Sequence, residues 1–210
     1  MKKLVSAVAV VALTCAINAK AEASIIGGIE FPDGAVSFAD ELVSFTAGAN
    51  VSGNWADGTN ALGVPDYNGS DGATSLGIGG VLIVRFTDNA LTTSGDNTPD
   101  LHVFEVGAVT EFFNLAISTN GVTWIDLGNV LGQPTSVDID GAAGVVAGTK
   151  YTFVRLTDVA PSQSTAPFGE ADIDAVGAIS SAPPVPEPAS MSLLALGLAG
   201  GAIARRRRRS

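Results

Sequence analysis

Five acidic side chains, Asp100, Glu105, Glu170, Asp172 and Asp174, are the residues whose types and spacing could do metal chemistry. Ca2+ takes roughly six to eight oxygen ligands, and carboxylates gather only at an electrostatic cost that a cation relieves, so acids grouped beside turn glycines are where such an ion helps. Asp172 and Asp174 alternate with Ile173 and Ala175. If that run is extended, both carboxylates point to one side while Ile173 enters the core. The cofactor this set would hold is Ca2+. No EF-hand loop spacing is present, and the competing reading is an acidic, solvated strand edge that discourages edge-to-edge pairing.

Sugar binding asks for aromatic rings, and the candidates are Trp55, Tyr67, Trp124 and Tyr151. Trp55 and Tyr67 fall in the Gly-, Asn- and Asp-rich stretch from Gly48 to Gly72, where a large ring is either a loop anchor or a ligand platform. Trp124, at the start of a strand, is expected in the core. His102 is the only histidine, so no zinc set of ordinary composition can form; it reads as a strand histidine, partly buried or at a sheet edge. No Gly-x-Ser-x-Gly elbow exists to hold a nucleophile. Gly77-Ile78-Gly79-Gly80 lacks the Lys-Ser or Lys-Thr of a phosphate loop and reads as a turn leading into a strand. No catalytic residue is assigned and the chain is expected not to be an enzyme, although a hydrolase using paired carboxylates stays open as an alternative.

The elements that must position these residues lie between Ser24 and Ala182. This stretch holds three basic residues, Arg85, Lys150 and Arg155, against nineteen acidic ones, a net charge of −16 that repels nucleic acid and anionic lipid. At about 160 residues it suffices for one domain, burying roughly 70% of its extended surface. The single cysteine, Cys15, lies before it, leaving no disulfide or thiol chemistry. Gly, Thr, Val, Ile and Phe dominate, turn clusters recur, and no 3.6-residue period is sustained, so the fold class is all-β, an antiparallel β-sandwich. The strands are expected at Val36 to Phe45, Val81 to Phe86, Leu101 to Val106, Phe112 to Ser118, Thr123 to Leu127, Ser136 to Ile139, Tyr151 to Asp158 and Asp172 to Ile179. Asn120-Gly121 predicts a type I′ hairpin turn, and Val154 and Leu156 should share one face of their strand, opposite Phe153, Arg155 and Thr157.

The two ends differ from this middle. Lys2 and Lys3, the apolar run Leu4 to Ile17 and the small-x-small sites Ala19-Lys20-Ala21 and Ala21-Glu22-Ala23 predict a signal peptide over residues 1–23, cut after Ala23. An uncleaved anchor and a lipoprotein signal are the alternatives, the first weakened by the short apolar run and the second by Thr14 before Cys15. At the other end, a Pro-rich linker over 183–188 precedes residues 189–210, in which the uncharged Ala189 to Ala204 is expected as a hydrophobic helix and Arg205, Arg206, Arg207, Arg208 and Arg209 form a basic cluster. Sixteen helical residues reach about 24 Å, a little short of the ~30 Å hydrocarbon layer, so transient inner-membrane contact with the arginines inside is expected. Pro186-Glu187-Pro188, the apolar helix and the terminal arginines, in that order, resemble the PEP-CTERM sorting signal recognised by exosortases. The resemblance implies an exosortase as processing partner, cleavage near Pro-Glu-Pro, and delivery to the outer envelope or extracellular matrix. A tail anchor is the alternative.

Ala61 to Asp66, Ser75 to Gly80, Asp100 to Gly107, Ser118 to Gly128 and Gly169 to Val176 resemble exported bacterial domains similar to discoidin-like, galactose-binding-type jelly rolls. Such a likeness implies loops at the sandwich ends that bind glycans and often a structural Ca2+. The functional expectation is a non-catalytic, exopolysaccharide-associated binding module, with a structural or adhesive role toward other envelope proteins as the alternative.

Overall fold

A strand whose residues alternate in polarity must bury one side against a second layer, and the chain solves this twice over. The computed structural model describes residues 22–107, 109–159 and 169–183. In chain order the strands are β1 Ser24–Ile26, β2 Ile29–Phe31, β3 Glu41–Thr46, β4 Thr74–Ser75, β5 Val81–Arg85, β6 Ala90–Leu91, β7 Leu101–Val106, β8 Phe112–Ser118, β9 Ile125–Leu131, β10 Thr135–Val137, β11 Phe153–Asp158, β12 Asp172–Ala178 and β13 Ser181–Ala182. Three short 3-10 turns complete the set, at Gly34–Ser37, Gly53–Ala56 and Gly58–Ala61, and no α-helix occurs among the described residues. Residues 1–21 of the expected signal peptide, with Cys15, the sorting motif Pro186, Glu187 and Pro188, the apolar segment and Arg205 to Arg209 lie outside the described residues.

A four-stranded antiparallel sheet ordered β10-β7-β12-β4 faces a five-stranded one ordered β3-β5-β11-β8-β9. Their inner faces meet in one apolar core containing Leu101, Val103, Ile173 and Val176 from the first sheet and Leu82, Val84, Leu115, Ile117, Val154 and Leu156 from the second. Val154 and Leu156 are fully buried and their odd-numbered neighbours only half-buried, so the expected alternation holds. The other face of the four-stranded sheet is covered too: Phe104 and Ala175 pack with Phe31 and Phe38 in a second, smaller core under the β1–β2 hairpin. His102 belongs to this layer. It is buried, 4.5 Å from the Phe104 ring, with Nδ1 2.7 Å from Ser136 Oγ, and burial pushes its pKa down to about 4.

A bulge at Asp174 lets one strand serve both layers. Ile173 pairs with Glu105 and Ala175 with Phe104, so an extra residue sits on β12 and shifts the alternation by one. Ile173 and Val176 therefore both reach the main core although they are three residues apart, while Ala175 turns to the aromatic layer.

Several sequence expectations are corrected. Val36 to Phe45 is not one strand. It begins in a 3-10 turn, Phe38 then joins the aromatic layer, the Ala39 amide donates to Val176 and the Asp40 amide to Arg85, so the chain crosses from one sheet to the other before β3. The Asn120-Gly121 connection does join β8 to β9, but not as a type I′ turn: Gly121 has φ 70° while Asn120 stays out of the left-handed region. Asn120 Oδ1 instead accepts from the amides of Val122 and Thr123, and Ser118 Oγ from those of Asn120 and Gly121. Trp124 is half-buried rather than core, with the Arg155 guanidinium 4.7 Å above its ring. The strand expected over Ser136 to Ile139 ends at Val137, because Asp138 and Ile139 turn away to meet Asp100.

Candidate functional site

The Gly-, Asn- and Asp-rich stretch before β4 folds into a polar cleft of about 400 Å³ lined by Asn54, Asp57, Asn60, Asp66, Asn68 and Asp71. Hydrogen bonds within the loop fix these side chains. Asn54 Nδ2 donates to Asp71 Oδ1 at 2.9 Å, Asn60 Nδ2 to the carbonyl of Asn54 at 2.9 Å, and Asp57 Oδ1 accepts from the Thr59 hydroxyl and amide at 2.7 and 2.9 Å. Those two Thr59 bonds hold the Asp57 carboxyl below its ordinary range. Gly72, φ 98°, must be glycine: a β-carbon there would stand 2.8 Å from Asp66 Oδ1.

Trp55 and Tyr67, expected as a platform, lie beneath this loop with ring centroids 5.9 Å apart. Trp55 is buried, its ring committed to anchoring, and Tyr67 is half-buried. Asp174 belongs here as well, not with the other acids of the expected metal set. Its Oδ1 accepts from the amides of Asp66 and Tyr67 at 3.0 and 3.1 Å and so ties the loop to the bulge of β12. Burial raises its pKa, and these two amides partly offset the rise.

The other four expected ligands fall in two groups at opposite ends of β7. Asp100 precedes the strand and Glu105 lies five residues on, about 16 Å away at the ~3.3 Å rise of a strand, so one ion cannot bridge them. At the far end, Glu105 faces the main core beside its partner Ile173 and is 2% exposed, with neither oxygen hydrogen-bonded to any described residue. Its Oε1 would lie 3.9 Å, and Asp172 Oδ2 3.7 Å, from a methyl placed on Gly107. Asp172 accepts from Ser75 Oγ, and the Gln133 side-chain amide donates to the Gly107 carbonyl. Glu111, Glu170 and Asp158 crowd the same end. Burial, then the charges of Glu111 and Asp172, push Glu105 up to about 8; the Asp172 amide, close but outside hydrogen-bond geometry, opposes them in part. Burial and the charges of Asp172, Glu170 and Asp158 push Glu111 up to about 7, and burial raises Asp172 to about 6 against the Ser75 bond.

At the near end, Asp100 is fully buried and its Oδ2 accepts from the Ile139 amide at 3.0 Å. That bond folds Asp138 and Asp140 onto it, and one carboxylate oxygen from each of the three lies within 4.8 Å of the others. Asp140 Oδ2 also accepts from Ser94 Oγ at 3.0 Å and from the Gly95 amide at 2.7 Å. Asp138 and Asp140 were not among the expected ligands. The signal that could have found them is Asp138-Ile139-Asp140-Gly141, an Asp-x-Asp-Gly turn hidden by reading a strand through Ile139. Glu111 and Asp158 were missed because only the fold brings Glu111 to Glu105 and Asp158 to Glu111.

No curated protein matches the chain. No helix among the described residues is long and apolar enough to cross a membrane. Residues 184–209 match the family model of the PEP-CTERM protein-sorting motif, so the β-sandwich belongs to a chain that carries the address of an exported protein handed to an exosortase.

Proposed function

We propose that the exported protein works in the outer envelope or extracellular matrix as a non-catalytic module that binds exopolysaccharide in the cleft of the 54–72 loop. The observation that carries this reading is the cleft's lining: amide and carboxylate side chains, held in place by one another, form a hydroxyl-binding surface of the kind a sugar needs. Trp55 and Tyr67 support it from below by stiffening the loop, so less freedom is lost on binding. The jelly-roll likeness read in the sequence agrees with a ligand site carried on loops. Burial of Glu105 and Asp172 favours the non-catalytic reading, since a glycosidic oxygen needs access to both members of an acid pair. One observation favours an adhesive role: Phe112 and Leu131, paired at the β8–β9 edge, are 48% and 51% exposed and offer an apolar contact to another envelope protein.

Calorimetric titration of the processed protein with the producing cell's exopolysaccharide tests the reading. Asn54→Ala and Asp71→Ala should each weaken binding roughly 3–10-fold, the worth of one or two hydrogen bonds. Binding that is absent, or indifferent to both substitutions while sensitive to Phe112→Ser, would replace the cleft with the apolar edge.

A further inference from the structure

We propose that Asp100, Asp138 and Asp140 form a Ca2+ site at the corner where residues 94–100 meet the turn after β10. Two ligands of one calcium at about 2.4 Å each can stand no more than about 4.8 Å apart. The three carboxylates already offer one oxygen apiece within that distance. Asp100 supplies the second, independent observation. It is fully buried, its Oδ2 is held by the Ile139 amide, and its Oδ1 finds no donor among the described residues. A buried carboxylate oxygen with no donor is costly unless a cation completes it.

The corner is stiff and rich in further oxygens. The Asp140 amide donates to Asp138 Oδ1 at 2.9 Å, and Ser94 Oγ with the Gly95 amide fixes Asp140 Oδ2, so each carboxylate is oriented through a hydrogen bond to one oxygen. The carbonyls of Asp96 and Thr98 both stand 3.4 Å from Ser94 Oγ, itself 3.0 Å from Asp140 Oδ2, so backbone oxygens lie in the same corner. Carboxylates with backbone carbonyls in an irregular loop suit calcium's loose, high coordination rather than the strict octahedron magnesium demands. This site is separate from the polar cleft and does not depend on the glycan reading.

Isothermal titration of the chelator-stripped, processed protein with CaCl2, paired with thermal unfolding, tests it. A single site with Kd on the order of 10⁻⁴ M is expected, with Tm raised by several degrees in millimolar calcium. Asp138→Asn at an exposed position and Asp140→Asn at a half-buried one should keep the fold by circular dichroism yet weaken calcium at least ~10-fold. Glu105→Gln should leave the affinity unchanged. Absence of a calcium shift, a shift that survives both Asp→Asn changes, one abolished by Glu105→Gln, or an equal response to MgCl2 would each overturn the assignment.

Discussion

At the start of β7 a buried aspartate has a backbone amide on one oxygen and two more aspartates beside it; at the end of the same strand a buried glutamate has no hydrogen-bonded donor among the described residues. Asp100 and Glu105 are 0% and 2% exposed, so desolvation alone does not separate them. The difference lies in what surrounds the charge. Around Asp100, three main-chain amides and Ser94 Oγ hold one oxygen of each of three carboxylates, which offer one oxygen apiece within 4.8 Å of one another, the arrangement proposed to hold Ca2+. Around Glu105 the neighbours are other acids, and the cheapest response is to keep a proton, as its pKa of about 8 records. Burial makes a carboxylate demanding; at Glu105 a proton meets the demand, and at Asp100 the proposed answer is a metal.

The largest test of this contrast is a pair of substitutions expected to act with opposite signs. Asp100→Ala strands the Ile139 amide, opens a cavity and removes the deepest ligand of the corner. In calcium it should cost about 2–4 kcal/mol, or roughly 5–15 °C in Tm for a chain of this size. Glu105→Gln keeps the shape and removes a charge that no described residue hydrogen-bonds. It should leave stability unchanged or raise it at pH 8.5. If Asp100→Ala also stabilises, the two ends of β7 are alike and the corner is merely another unrelieved acid.

The second test follows stability against pH with calcium chelated. A carboxyl whose pKa rises on folding binds its proton more tightly in the folded chain, so it lends stability at low pH that is lost as pH climbs through the folded pKa. For Glu105 the window runs from about 4.5 to about 8, for Glu111 from about 4.5 to about 7, and for Asp172 from about 3.8 to about 6. His102 works the other way, losing stability as pH falls from 6.5 to about 4. Above pH 6.5 only the acids remain in play. Between pH 6.5 and 8.5 the protein should lose on the order of 2–3 kcal/mol, and Glu105→Gln should remove most of that slope in thermal unfolding scans. A Tm that is flat over this range would show that the far-end cluster is already relieved by some other partner.

How much of this was legible in the sequence differs by scale. Period-2 alternation in Tyr151 to Asp158 and the short apolar run Val81 to Phe86 were enough for the central strands of the five-stranded sheet, each buried on one side only. Val36 to Phe45 misled because its apolar residues serve two different layers, Phe38 the aromatic one and Leu42 and Phe45 the main core. The five expected metal ligands are all buried, which sets aside the competing reading of a solvated acidic edge. Their grouping was not legible: sequence proximity joined Asp172 to Asp174, which a bulge sends to different tasks, and it joined Asp100 to Glu105, which a strand holds far apart. Likewise Trp55 was recognisable as a loop residue, but whether its ring faced inward depended on Asp174 pulling residues 66–67 down onto the sheet.

The smallest effect supplies the scale against which the two buried acids are read. Arg85 and Glu41 form an ion pair at 3.2 Å on adjacent strands, with side chains 40% and 46% exposed. Water competes for both charges, so a double-mutant cycle with Arg85→Ala and Glu41→Gln should give a coupling below about 0.5 kcal/mol. Arg85→Ala alone should cost more at low salt than that coupling, because Arg85 also stands 5.3 Å over the Phe153 ring and is one of three basic residues in a stretch of net charge −16. Raising ionic strength screens the long-range part within about a Debye length and should shrink the excess, leaving the ring contact. If salt instead leaves the single-mutant cost untouched, the acidic field has little hold on folding, and the whole difference between Asp100 and Glu105 must come from the few atoms that touch them.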